Sequence, residues 1–169
     1  MNDSRGAERR RSASILYVCS SGGHLLELLS LHERWKASQS AAHKHRQFRW
    51  ICFQTPDAES LLADETVTWA HHPTNRSVRN LARNWMLARR LFADYRPDFV
   101  LSTGAGVAVP FLLEARRRSI STCYLELIAR SEALSLTGRL LYGRTDHFLV
   151  QWPDLAEKFG KASYRGQVL

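Results

Sequence analysis

The chain has 169 residues, 44% of them hydrophobic, and a formal net charge of +8. This length fits one domain with a real core, the composition excludes a disordered chain, and no apolar run reaches the ~18 residues that a membrane-spanning helix needs. The charge admits an anionic membrane surface, an anionic substrate or nucleic acid as partner. No zinc finger, RNP-type aromatic pattern or recognition helix accompanies it, which disfavours nucleic acid.

Residues 1–13, with Arg5, Arg9, Arg10 and Arg11, read as a disordered basic leader, and residues 14–169 as a single domain. No apolar h-region follows the leader, so it does not read as a secretory signal. Ser14–Ser20 is predicted as a strand, its apolar run Ile15–Cys19 leading into the turn Ser20-Ser21-Gly22-Gly23-His24. A helix over His24–Ala37 follows, with Leu25, Leu28, Leu29, Leu31 and Trp35 on one stripe. A buried strand, a turn without side chains and a helix start form the geometry that aims backbone N–H groups at an anion. His24 stands where that helix begins, facing the same spot. The polar loop Ser38–Gln47 carries His43 and His45, but no carboxylate or cysteine accompanies them, so no metal site is expected.

Strand two is Phe48–Gln54, followed by a short helix over Asp57–Ala63 and a third strand over Val67–Ala70, closed by His71-His72-Pro73. The helix Val78–Tyr95 sets Leu81, Trp85, Leu87, Ala88, Leu91, Phe92 and Tyr95 among Arg79, Arg83, Arg89 and Arg90, with Arg96 just beyond. It reads either as a crossover helix with a solvated outer face or as a basic amphipathic helix lying on a membrane. Strand four, Phe99–Ser102, leads into a second turn, Thr103-Gly104-Ala105-Gly106, and a helix over Val107–Arg118. Strand five, Ser121–Leu125, ends at Glu126. A loop with Arg130, a short helix over Leu136–Tyr142, strand six over His147–Val150, Gln151-Trp152-Pro153 and a helix over Asp154–Phe159 complete the chain. Cys19, Cys52 and Cys123 stand apart in strand-like runs, without CxxC pairing. They read as buried thiols of a reducing, cytoplasmic compartment.

Alternating strands and helices predict an α/β fold: a Rossmann-like, doubly wound, mainly parallel sheet of about six strands. In the common order 3-2-1-4-5-6, ligands bind at the switch point outside the carboxyl ends of strands one and four. Both glycine turns fall there, with Glu126 and Gln151-Trp152 on the strands beside them. Neither turn is the G-x-G-x-x-G fingerprint, and strand two ends in Gln54 rather than an acid, so a dinucleotide cofactor is disfavoured. No cofactor and no metal are expected.

Ser20–His24, Ser102–Pro110, Tyr124–Arg130, Leu134–Gly138 and Gln151-Trp152 together resemble the signature blocks of one family. It is the acceptor-side subunit of the two-part N-acetylglucosaminyltransferase that builds dolichyl-diphosphate oligosaccharide, with its bacterial exopolysaccharide and capsule homologues. The family is similar to the N-terminal half of the lipid II-forming GT-B glycosyltransferase. The resemblance implies a separate chain that binds the UDP-sugar, and a polyprenyl-diphosphate-linked sugar acceptor held by this one. The family's eukaryotic subunits carry an N-terminal transmembrane anchor, and this sequence departs from them there, so the expected contact with the anionic inner face of the cell membrane is peripheral, with the Arg79–Arg96 helix as its candidate.

On this reading Ser21, Gly22, Gly23, Gly104, Ala105, Gly106 and Arg130 bind the acceptor's diphosphate or border the cleft between subunits. His24 is the candidate base. Glu126 is the alternative base, an orienter of the acceptor, or a partner of Arg130 that shapes the loop. Gln151 and Trp152 are the candidate contacts with the partner chain. Two other classes stay open: a stand-alone nucleotide-binding Rossmann enzyme, and a scaffold that only recruits the catalytic chain.

Overall fold

The computed structural model describes residues 13–37, 46–74 and 77–169. The predicted leader up to residue 12 and the loop histidines His43 and His45 lie outside them. Ala13 is anchored, since its carbonyl accepts the Gln47 amide at 3.2 Å.

The strands are β1 (Ser14–Val18), β2 (Gln47–Phe53), β3 (Val67–Ala70), β4 (Phe99–Ser102), β5 (Ser121–Leu125), β6 (His147–Val150) and β7 (Ser163–Tyr164). The helices are α1 (Gly23–Ala37), α2 (Pro56–Leu61), α3 (Val78–Asp94), α4 (Ala108–Arg117), α5 (Leu136–Leu141) and α6 (Pro153–Lys158). All strand pairs are parallel, in the order β3-β2-β1-β4-β5-β6-β7. The predicted order holds, and one strand is added. At two residues, β7 is too short to show the period-2 pattern by which a strand is read. Helix ends shift by a residue or two, within the fraying of any helix terminus.

Alternate residues of each strand leave on opposite faces, which divides the core in two. Leu16, Val18, Ile51 and Val100 meet Ala88 and Phe92 of α3 and Phe111, Leu112 and Ala115 of α4. Ile15, Tyr17, Trp50, Cys52 and Leu101 meet Leu25 and Leu28 of α1 and Ala58 of α2. The strands are covered on both sides, which is why they read as continuous apolar runs. Cys19, Cys52 and Cys123 are buried free thiols, and burial pushes Cys123 up to about 12.

α3 and α4 are joined at one end by a polar clamp. Glu114, 1% exposed, accepts from Arg117 at 2.7 Å and from Arg118 at 3.0 Å. Arg117 above all holds its carboxyl below the usual range. The Arg118 guanidinium also donates to the Phe92 and Arg89 carbonyls, at 2.6 and 3.2 Å. It supplies the cation that the last turn of α3 lacks in its own sequence.

Candidate active site

A cleft of about 650 Å³ opens at the carboxyl ends of the strands. Ser20, Ser21 and His24 reach it from the β1 turn, and Ala105 and Gly106 from the β4 turn. Since β1 and β4 are neighbours, the two turns meet there, as the expected strand order requires.

His24 ties the turns together. Its Nδ1 lies 2.7 Å from the Thr103 carbonyl, and the Thr103 hydroxyl donates to the His24 carbonyl at 2.8 Å. A carbonyl oxygen only accepts, so Nδ1 carries the proton and Nε2 keeps its lone pair. Burial holds the imidazole below its ordinary pKa. An oriented, neutral imidazole at the wall of a cleft has the form of a general base.

The second turn has an unusual backbone. Gly104 has φ +118° and Ala105 φ +64°, and a side chain carries a steric cost at such an angle. Exposed amides in a turn are the groups from which anion-binding concavities are built. The amides of Ala105 and Gly106 bond to no other described residue. Gly104 serves differently, because a Cβ there would stand 3.0 Å from His24 Cε1 and from the Tyr124 hydroxyl, and its own amide donates to Ser102 Oγ. It makes room for the imidazole and does not line the cleft. Gly22 and Gly23 are also outside the lining. The Gly22 amide donates to Asp57 at 3.3 Å, so this turn offers Ser20 and Ser21 instead of its glycines.

Glu126, 1% exposed, is enclosed by donors. Oε1 accepts from the Tyr124 hydroxyl and the Leu127 amide, both at 3.3 Å, and Oε2 from the amide and hydroxyl of Ser135, both at 3.0 Å. With its lone pairs so occupied it is a bracket between the end of β5 and the start of α5, not a base. Its loop-shaping partner is Ser135. No ion pair joins it to Arg130 among the described residues. Arg130 is exposed and lines the cleft, and its charge reaches His24.

Gln151 corrects an expectation. Its side chain is 1% exposed and bonds to Glu27, to the Glu126 carbonyl and to the Val168 amide, so it cannot touch a partner in this fold. Trp152 is half-buried, its indole N–H donating to the Ile128 carbonyl at 2.7 Å. Among the described residues no group of three or more His, Cys, Asp or Glu side chains is placed to hold a metal ion.

One wall depends on residues that sequence reasoning passed over. Asn84, fully buried on α3, accepts the His71 amide and donates to the His71 carbonyl, both at 2.8 Å. Asn80, one turn earlier, donates to the Pro73 carbonyl at 2.9 Å. The pair fixes His72, Pro73 and Thr74, which line the cleft. Asn84→Ala strands both backbone groups of His71 and is expected to cost about 2–4 kcal/mol, read from the urea midpoint at constant m.

Fold and cleft together define the class: a Rossmann-like α/β unit of the GT-B kind, with its site at the topological switch point. The crystal structure of Acinetobacter baumannii MurG matches with a TM-score of 0.71 at 16% identity, over 92% of this chain and 45% of that one. A UDP-N-acetylglucosamine 2-epimerase from Rickettsia bellii matches with a TM-score of 0.69 at 12% identity, over 94% of this chain and 46% of that one. At such identities the likeness is one of fold, and the chain spans a little under half of each structure.

The chain belongs to the Alg14-like family of oligosaccharide biosynthesis proteins, whose family model matches residues 69–168. It is 29% identical to the human protein named UDP-N-acetylglucosamine transferase subunit ALG14, over 95% of this chain and 85% of that one. The subunit of the same name from Eremothecium gossypii is also 29% identical, over 97% of this chain and 84% of that one.

Proposed function

We propose that this chain is the acceptor-side subunit of a two-chain glycosyltransferase. It holds a polyprenyl-diphosphate-linked sugar while a separate catalytic chain presents a UDP-sugar, UDP-N-acetylglucosamine by the names of its relatives. The observation that carries this reading is the make-up of the cleft. A lone-pair nitrogen of His24, the uncommitted amides of Ala105 and Gly106 and the Arg130 cation share it with an apolar lip of Leu81, Leu136 and Leu140. The polar part suits a diphosphate and a sugar hydroxyl, and the lip suits a lipid.

In the reaction, His24 Nε2 takes the proton of the acceptor hydroxyl as that oxygen attacks the anomeric carbon of the donor sugar. The bond from this carbon to the UDP oxygen breaks, and UDP leaves with the electron pair. Attack from the face opposite the leaving group inverts the anomeric centre. Arg130 and the Ala105 and Gly106 amides of the β4 turn fix the acceptor's diphosphate, so that its hydroxyl reaches the partner's donor sugar in line. Half of the transition-state contacts belong to the partner, so the isolated chain has negligible turnover.

The lip continues onto α3. Val78 is 81% exposed, Met86 52% and Trp85 36%, between the exposed Arg79, Arg83, Arg89 and Arg90. Among the described residues no helix is long and apolar enough to cross a membrane. An apolar strip rimmed by arginines suits the anionic inner face of the cell membrane as a peripheral contact. Trp85→Ser with Met86→Ser is expected to weaken sedimentation with anionic vesicles at least about tenfold, since each side chain loses ~1.5 kcal/mol or more of burial. Unchanged sedimentation removes α3 from the contact.

The reading as a whole is tested by adding the catalytic chain. No transfer by this chain alone, and transfer to a lipid-linked acceptor from the mixture, is the expected result. Full activity of the isolated chain overturns it.

A further inference from the structure

Glu27 stands three residues after His24 on α1, and its side chain is 1% exposed. Among the described residues no cation pairs with it. A buried carboxylate without a counter-ion is costly unless its oxygens are satisfied otherwise. Both are: Oε1 accepts the Ile128 amide at 2.8 Å, and Oε2 accepts Gln151 Nε2 at 2.9 Å.

Each partner is held a second time. The Ile128 carbonyl accepts the Trp152 indole N–H at 2.7 Å, so the backbone of Ile128 is gripped on both sides. The same Gln151 nitrogen donates to the Glu126 carbonyl at 3.1 Å, while Gln151 Oε1 accepts the Val168 amide at 2.9 Å. Ile128 sits inside the turn that the Arg130 amide closes on the Leu127 carbonyl at 2.9 Å. Leu127 and Arg130, at the two ends of that turn, line the cleft. The helix that carries His24 is thus tied directly to the turn that carries Arg130.

We propose that Glu27 is a positioning residue: by fixing the Leu127–Arg130 turn to α1, it sets the spacing between the guanidinium that meets the acceptor's diphosphate and the imidazole that meets its hydroxyl. This rests on the acceptor-side reading above. A shift of about 1 Å between two such groups is enough to cost ~10²-fold in rate.

The test is an exchange of partners. Glu27→Gln keeps size and shape but turns an NH₂ group toward either the Ile128 amide or the Gln151 NH₂, donor against donor. Adding Gln151→Glu restores an acceptor opposite the new NH₂ group. In the E27Q/Q151E pair the new amide at position 27 again accepts from Ile128 and donates to the new carboxylate at position 151. That carboxylate still accepts from Val168, while its other oxygen faces the Glu126 carbonyl, acceptor against acceptor, where Gln151 had donated. In the two-chain enzyme, E27Q is expected to lower kcat/KM for the lipid-linked acceptor about 10–100-fold, with the KM for the UDP-sugar unchanged. The E27Q/Q151E pair is expected to recover part of that loss.

Amide exchange at Ile128–Arg130, read on this chain with no substrate, should speed up in E27Q and slow again in the pair. Glu27→Asp keeps the charge but is one methylene too short to hold both the Ile128 amide and Gln151. It should give a weaker acceptor defect of the same kind and serves if E27Q does not fold. Wild-type acceptor kinetics in E27Q, or in E27D where E27Q does not fold, overturn the proposal. A wild-type mixture that transfers nothing overturns the acceptor-side reading instead, and amide exchange still decides whether Glu27 fixes the turn.

Discussion

His24→Ala in the assembled enzyme is expected to lower kcat by ~10²–10⁴, the usual loss when a positioned acid–base group is removed. The expectation rests on the tautomer. With Nδ1–H engaged by the Thr103 carbonyl, Nε2 is the nitrogen with a free lone pair. The pH dependence follows from burial, which favours the neutral ring and lowers the His24 pKa from its ordinary value of 6.5. The base form therefore persists below pH 6.5, and the acid limb of kcat/KM should fall below that value. His24→Ala should abolish the limb along with the rate. A variant that retains full assembled activity makes this chain a scaffold that only recruits its partner.

Gly138→Ala is expected to destabilise the fold by about 2–4 kcal/mol, the cost of overpacking together with lost buried hydrogen bonds. Alanine in place of glycine inside a helix ordinarily stabilises by up to ~1 kcal/mol, so the sign alone is informative. A Cβ at Gly138 would collide with Glu126 Oε2 and stand 3.2 Å from Ser135 Oγ. Glu126 would have to leave the amide and hydroxyl of Ser135, and Ser135 also caps α5 by accepting the Gly138 amide at 2.9 Å. As α5 shifts, Leu136, Thr137 and Leu140 move at the cleft, so acceptor turnover should fall with stability. Urea denaturation reads the first effect and the two-chain assay the second. A variant as stable as wild type would show that the bracket yields without cost.

Much of this architecture was legible in the sequence, for identifiable reasons. Strands buried on both faces are unbroken apolar runs, and the turns after β1 and β4 carry glycines where a strand meets a helix. His24 stands at such a corner, so its place in the cleft follows from the strand order alone. Glu27 and Gln151 have no such marker. Glu27 meets Ile128 across 101 positions and Gln151 across 124, and no local pattern encodes a contact that distant.

The role of Gly104 was hidden in the same way. A glycine in a turn invites a ligand, whereas the space it leaves is taken by the His24 ring and the Tyr124 hydroxyl. Glu126 reads as a candidate base because it ends a strand at the switch point. Its donors are Tyr124 and Leu127 beside it and Ser135 nine residues on, and no residue type in that stretch marks that their hydroxyls and amides turn onto the carboxylate.

The most direct measurement is equilibrium binding to this chain without its partner, comparing a short-chain prenyl-diphosphate-linked N-acetylglucosamine in detergent with UDP-N-acetylglucosamine. The lipid-linked sugar should bind, Arg130→Ala should weaken it at least about tenfold through loss of a charge-assisted contact, and the nucleotide sugar should bind weakly or not at all. Tight binding of the nucleotide sugar with none of the lipid-linked one would assign the cleft to the donor and contradict the acceptor-side role.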